Sequence, residues 1–112
     1  MIEKVVLDYL NAHASVKCYM ERPEQKPTAF ILIEKTGSRE VNQIETSTVA
    51  VQSYAPTLYE AAQLNSEVKA LMKGLAEEDA VSGVSLNSDY NFTNVADKQY
   101  RYQAIFVITH YE

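Results

Sequence analysis

Leu58, Ala61, Leu64, Val68, Leu71, Met72 and Leu75 recur every three or four residues, so on a helix of about five turns they fall along one side. The same segment carries its own start signal. Pro56 interrupts any preceding strand, the Thr57 hydroxyl is placed to accept from a first-turn N–H, and Glu60 is placed to reach back to the Thr57 amide. A helix with such a stripe needs a second layer to bury it. The rest of the chain must therefore supply an apolar surface.

Residues 2 to 13 predict another helix, with Ile2, Val5, Val6, Tyr9 and Leu10 on one side and Glu3, Lys4, Asp8 and Asn11 on the other. Most of the remainder is β-prone. Residues 16 to 20 read as a short strand, and 21 to 27, with Pro23 and Pro27, as a loop. Residues 28 to 36 hold the run Phe30, Ile31, Leu32, Ile33, which suits a central strand buried on both faces. Gly37-Ser38 is turn chemistry, and 40 to 55 is rich in valine and threonine, so a hairpin turning at Gly37 is expected.

Beyond Glu77-Glu78-Asp79 the period becomes two. Val84, Leu86, Tyr90 and Phe92 share one side, opposite Ser85, Asn87, Asp89 and Asn91. A polar connection from 94 to 99 leads to a last strand with Tyr100, Tyr102, Ala104, Phe106 and Ile108 on one face. Its other face carries Arg101, Gln103, Ile105, Val107 and Thr109, which is more apolar than a wetted face should be. The order α-β-β-β-α-β-β predicts an α+β two-layer sandwich, two helices covering one face of a mostly antiparallel sheet of about five strands. At 112 residues the chain reads as one domain, 1 to 112.

Charge and composition narrow the partners. Ten basic against fifteen acidic side chains give a net charge of -5, which repels phosphate backbones, so nucleic acid is not an expected partner. No apolar run approaches the ~20 residues needed to cross a bilayer as a helix, so no membrane role is expected. The start, Met1-Ile2-Glu3-Lys4, lacks the basic-then-apolar pattern of an export signal, and the single cysteine fits a reducing compartment, so the chain is expected inside the producing cell.

Chemistry-bearing residues do not form a motif. Cys18 sits in an apolar strand pattern with Lys17 on the opposite face, and reads as core. His13 and His110 belong to no metal-ligand spacing and read as surface or capping residues; Glu3, Asp8, Glu60 and Glu67 read as solvated helix surface. Gly37-Ser38 lacks the surroundings of a phosphate loop. No catalytic, metal or cofactor site is expected. The mark of an enzyme assembled from distant segments would be a deep polar pocket holding a buried histidine or carboxylate.

Two features, the tyrosine load and residues 34 to 45, go beyond a plain folded domain. Eight tyrosines without tryptophan is a high load, and Tyr54, Tyr59, Tyr90, Tyr100, Tyr102 and Tyr111 fall near strands and the second helix start. They suit either a surface buried on assembly or the margin of the chain's own core with wet hydroxyls. Residues 34 to 45, with Lys35, Arg39, Glu40, Asn42 and Gln43, form either a charged docking arm or a solvated turn. The acidic run Glu77-Glu78-Asp79 either faces water or meets a basic partner. The expected protein-contact residues are Lys35, Arg39, Glu40, Asn42, Gln43, Arg101, Gln103, Ile105 and Val107.

Six stretches form a further pattern: the Met1-Ile2-Glu3-Lys4 opening, Phe30-Ile31-Leu32-Ile33-Glu34-Lys35-Thr36-Gly37, Gln52-Ser53-Tyr54-Ala55, Leu58-Tyr59-Glu60-Ala61-Ala62, Leu86-Asn87-Ser88-Asp89-Tyr90-Asn91-Phe92 and Tyr100-Arg101-Tyr102-Gln103-Ala104. In these the chain resembles, over nearly its full length, the small tail terminator or tail completion proteins of long-tailed bacteriophages and prophages of Gram-positive bacteria, some of which are called minor capsid proteins. The resemblance implies an α+β subunit that assembles with itself, as a hexameric ring, on the tail tube protein and faces the head-tail connector protein. It implies a place in the virion tail or neck, reached through the host cytoplasm, with no enzymatic activity. The family transfers no individual functional residue. A cytoplasmic adaptor that binds a protein partner through a sheet edge is the alternative reading.

Overall fold

A computed structural model describes residues 1–25, 27–94, 96 and 99–111. Helix α1 (Ile2–His13) is followed by strands β1 (Cys18–Tyr19), β2 (Phe30–Val41) and β3 (Ile44–Ala55). Helix α2 (Leu58–Gly74) runs on as a 3-10 turn, Leu75–Glu77, before β4 (Val81–Asn91) and β5 (Tyr100–Tyr111). The strands form one sheet in the order β1-β2-β3-β5-β4, antiparallel except where β1 meets β2. The α+β class, the element order and the placement of both helices on one face are as the residue pattern predicts.

Cross-strand partners show how the helices find that face. Ile33, Val51 and Ala104 are neighbours across three strands, as are Lys35, Val49 and Phe106. Ile2, Val6 and Leu10 of α1 and Leu64, Val68 and Met72 of α2 join Ile33, Val49, Val51, Ala104 and Phe106 in one buried cluster. Burying each large aliphatic side chain contributes roughly 1.5–3 kcal/mol, which makes this layer the main source of stability. Thr57 caps α2 by accepting from the Glu60 amide at 3.1 Å. Leu58 alone leaves the stripe for solvent, at the exposed first turn.

Several local expectations are corrected. The hairpin turns at Asn42-Gln43, not at Gly37-Ser38, which instead lies within β2 beside a bulge between Lys35 and Gly37. Asn42 and Gln43 both have positive φ, 53° and 68°, the requirement of a two-residue turn whose twist matches its strands. β2 is not central: β3 is, and Leu32 is half-buried on the face away from the helices. A bulge between Leu86 and Ser88 turns β4 over, so Val84 and Leu86 face the helices whereas Tyr90 faces away and Asp89 comes to the helix side. There Asp89 Oδ2 accepts from Asn65 Nδ2 and Lys69 Nζ, both at 2.9 Å, clamping α2 to β4.

The expected strand at 16 to 20 shortens to Cys18–Tyr19 because Asn11 occupies its outer edge. The Asn11 amide exchanges two hydrogen bonds with the Cys18 backbone, at 2.8 and 3.2 Å. Of the expected loops, position 26 and, in the 94 to 99 connection, positions 95, 97 and 98 lie outside the described residues.

Candidate assembly surface

Among the described residues the sheet's second face carries no helix. Across β2, β3, β5 and β4 it presents Gly37, Thr48, Val107 and Ser85 in one row and Glu34, Ala50, Ile105 and Ser88 in the next. Then come Leu32, Gln52, Gln103 and Tyr90, and Phe30, Tyr54 and Arg101 close one end. At the other end Val41, Ile44 and Tyr111 lie side by side, 60%, 42% and 56% exposed. All three of these apolar side chains are exposed among the described residues.

Two different surfaces share this face. Near β1 it is ordered by its own side chains: Phe30 and Tyr54 stack at 4.5 Å, and Tyr19 packs edge-on against Phe30. Tyr54 donates to Gln52 Oε1 at 2.9 Å, Gln52 Nε2 donates to Gln103 Oε1 at 2.7 Å, and Gln103 Nε2 donates to the Tyr90 hydroxyl at 2.5 Å. This chain of amides and phenols crosses three strands and leaves Gln103 only 8% exposed. Toward Tyr111 the described residues form no such network, and Ile105, Val107 and Thr109 stay half-exposed.

The sequence-predicted contact residues therefore separate. Arg101, Gln103, Ile105 and Val107 do share the uncovered face, although Gln103 is spent on the internal network. Arg39 points the same way opposite Thr46, and Asn42 and Gln43 form the exposed turn, with Glu40 exposed beside them. From Thr36 to Ile44 every residue is exposed, so this arm extends beyond the helix layer. Lys35 does not belong to it. It lies on the helix face, where its ammonium stands 3.5 Å from the Glu3 carboxylate. Among the tyrosines, Tyr54 is buried, Tyr100 and Tyr102 are half-buried, and Tyr59, Tyr90 and Tyr111 are exposed.

Glu3 and Glu67 are likewise more than wetted surface: Glu67 accepts from the Ser15 amide and hydroxyl, each at 2.7 Å, tying the end of α1 to α2. Cys18 is core as expected, and burial pushes its thiol up to about 12, so it is no nucleophile at neutral pH.

His13 is exposed, but His110 is 1% exposed, against the expected surface or capping role. It continues the inward alternation of Ala104, Phe106 and Ile108, a signal the sequence did contain. Its Nε2 is 2.8 Å from Ser47 Oγ and 3.5 Å from Glu45 Oε2. A serine–histidine–carboxylate relay needs the hydroxyl on one ring nitrogen and the carboxylate on the other. Here both meet Nε2, and Ser47 is fully buried, so the trio pins β3 to β5 and offers no attacking oxygen. Among the described residues no three histidine, cysteine or carboxylate side chains gather where a metal could sit, and no described helix is long and apolar enough to cross a membrane. No protein-family model matches the sequence, nor does any curated protein.

Proposed function

We propose that this chain is a non-enzymatic structural component of a phage virion, the tail terminator that caps the tail tube and joins it to the head. The observation that carries this reading is the helix-free sheet face, whose half-exposed Ile105 and Val107 lead to the bare row Val41, Ile44 and Tyr111. A row of that kind on a small domain is surface reserved for a neighbour. The exposed hairpin from Thr36 to Ile44 adds an arm long enough to reach across a subunit boundary. Head-to-tail contact between face and arm closes a ring when the rotation between subunits allows it. The resemblance in residue pattern supplies the tail tube and the head-tail connector as the other partners.

Deleting the chain from the phage or prophage that encodes it should leave unjoined heads and tails of irregular length, seen directly by electron microscopy. Normal infectious particles from that strain would contradict the reading. One observation favours the adaptor alternative: among the described residues β1 pairs with β2 at Ile31 and Leu32 alone, and no other strand pairs with the rest of that edge. A pull-down dominated by tail-tube or connector protein would count against it.

A further inference from the structure

At the β1 end of the uncovered face, two guanidinium groups converge on one phenol. Arg101 Nη1 donates to the Tyr54 hydroxyl at 2.8 Å and Arg22 Nη2 donates to it at 3.2 Å. That oxygen is fully used, because it accepts both bonds and donates its own proton to Gln52. It satisfies hydrogen bonds but neutralises no charge. Arg101 is also fixed in place, with Nε donating to the Phe92 carbonyl at 2.7 Å and its guanidinium 4.4 Å from the Phe92 ring centre. No carboxylate of the described residues pairs with either arginine. A cleft of about 160 Å³, lined by Arg22, Phe30, Tyr54 and Tyr100 among others, opens beside them.

In a chain of net charge -5, two adjacent forks with no carboxylate partner among the described residues are a place for an anion to enter. Their planar donors fit a carboxylate held side-on. The chain carries an unused carboxylate set at the other end of the molecule: Glu77, Glu78 and Asp79 are consecutive, exposed and free of ion pairs among the described residues. The neighbouring Ala80 carbonyl accepts from the Tyr111 amide at 3.0 Å, which places the run at the end of β5 far from Arg101, about 30 Å away at strand spacing. The run also lies on the helix layer, at the end of α2, whereas the arginines lie on the open face. Each set is thus out of reach of its complement within one chain.

We propose that Arg22 and Arg101, set around the Tyr54 hydroxyl, receive a carboxylate from the Glu77-Glu78-Asp79 run of a second copy of this chain. The contact joins opposite ends and opposite layers, so it is heterologous and propagates from copy to copy. It rests on the assembly reading only in taking a second copy as the partner.

The test is sedimentation velocity on the full-length chain across protein and salt concentration, with Arg22→Glu/Arg101→Glu and Glu77→Lys/Glu78→Lys/Asp79→Lys, each alone and mixed one to one. Wild type should associate with protein concentration and dissociate as salt rises. Each reversed chain alone should associate at least tenfold more weakly, and the mixture should regain wild-type affinity within about threefold, because reversed ends complement each other. Arg22→Glu alone, on an exposed loop, repeats the test should loss of Arg101 unfold the β5 start. Reversed chains that associate like wild type, or a mixture that fails to recover, would overturn the pairing. So would a wild type that stays monomeric at millimolar concentration, whereas particles from the deletion strain decide the tail reading separately.

Discussion

The two faces of the sheet are built from the same strands and follow opposite rules. On the helix side, Ile33, Val51, Ala104, Phe106 and Ile108 are sealed under α1 and α2, and two charged groups there, Lys35 and Asp89, are paired with helix residues. On the other side, order is confined to the Tyr54 end, and Val41, Ile44 and Tyr111 are left in solvent. The first face completes the monomer. The second is left open to solvent, as the proposed role in assembly requires.

Substituting one residue on each face is the strongest way to break this comparison. Phe106→Ala should cost about 3–5 kcal/mol by leaving a cavity under α2, whereas the adjacent Ile105→Ala should cost about 1 kcal/mol or less. Urea unfolding with unchanged slope reads both. Equal losses would mean the open face is as much a monomer core as the covered one.

The fit of the helix layer is tested at Gly74, where an added Cβ would stand 2.5 Å from the Tyr9 hydroxyl. That hydroxyl donates to the Leu71 carbonyl at 2.7 Å, so it is not free to leave. Gly74→Ala should destabilise by about 1–3 kcal/mol although alanine is the better helix former, and Tyr9→Phe should relieve most of the loss. Persistence of the loss in the Tyr9→Phe background would remove the close approach as its cause.

The arm should respond in the opposite direction. Gln43 occupies a left-handed position that glycine adopts without strain, so Gln43→Gly should stabilise the chain by about 1 kcal/mol, read as a higher urea midpoint. The smallest effect concerns acid. Hydrogen bonding from Lys69, then from Asn65, holds the Asp89 carboxyl below its ordinary value. Its contribution, under about 1 kcal/mol, is therefore present above the ordinary carboxylate range and lost as pH falls through the lowered folded value. Asp89→Asn should flatten that part of the pH profile of stability.

The covered face was legible because helical and strand periodicity record burial directly: the stripe behind Thr57 and the Tyr100 to Ile108 alternation both lie where their spacing puts them. What sequence period could not show was where it slips. The bulges at Thr36 and Asn87 each insert one residue: the first lies where glycine had suggested a turn, which falls instead at Asn42-Gln43, and the second puts Tyr90 on the opposite face from Leu86. For the candidate surface, the excess apolarity of Ile105 and Val107 was readable, but the convergence of Arg22 on Tyr54 joins residues 32 apart and left no local trace. The placement of Lys35 on the helix face left no local trace either, since its partner Glu3 comes from a distant helix.

The central claim is that the helix-free face is spent on neighbours and not on the monomer. The most direct measurement is the titre of infectious particles from the deletion strain when it is supplied with Val107→Glu, a substitution in the middle of that face. The account predicts a variant that folds with an unfolding midpoint close to wild type and a titre at least a hundredfold lower. A wild-type titre from a charge planted there would contradict it.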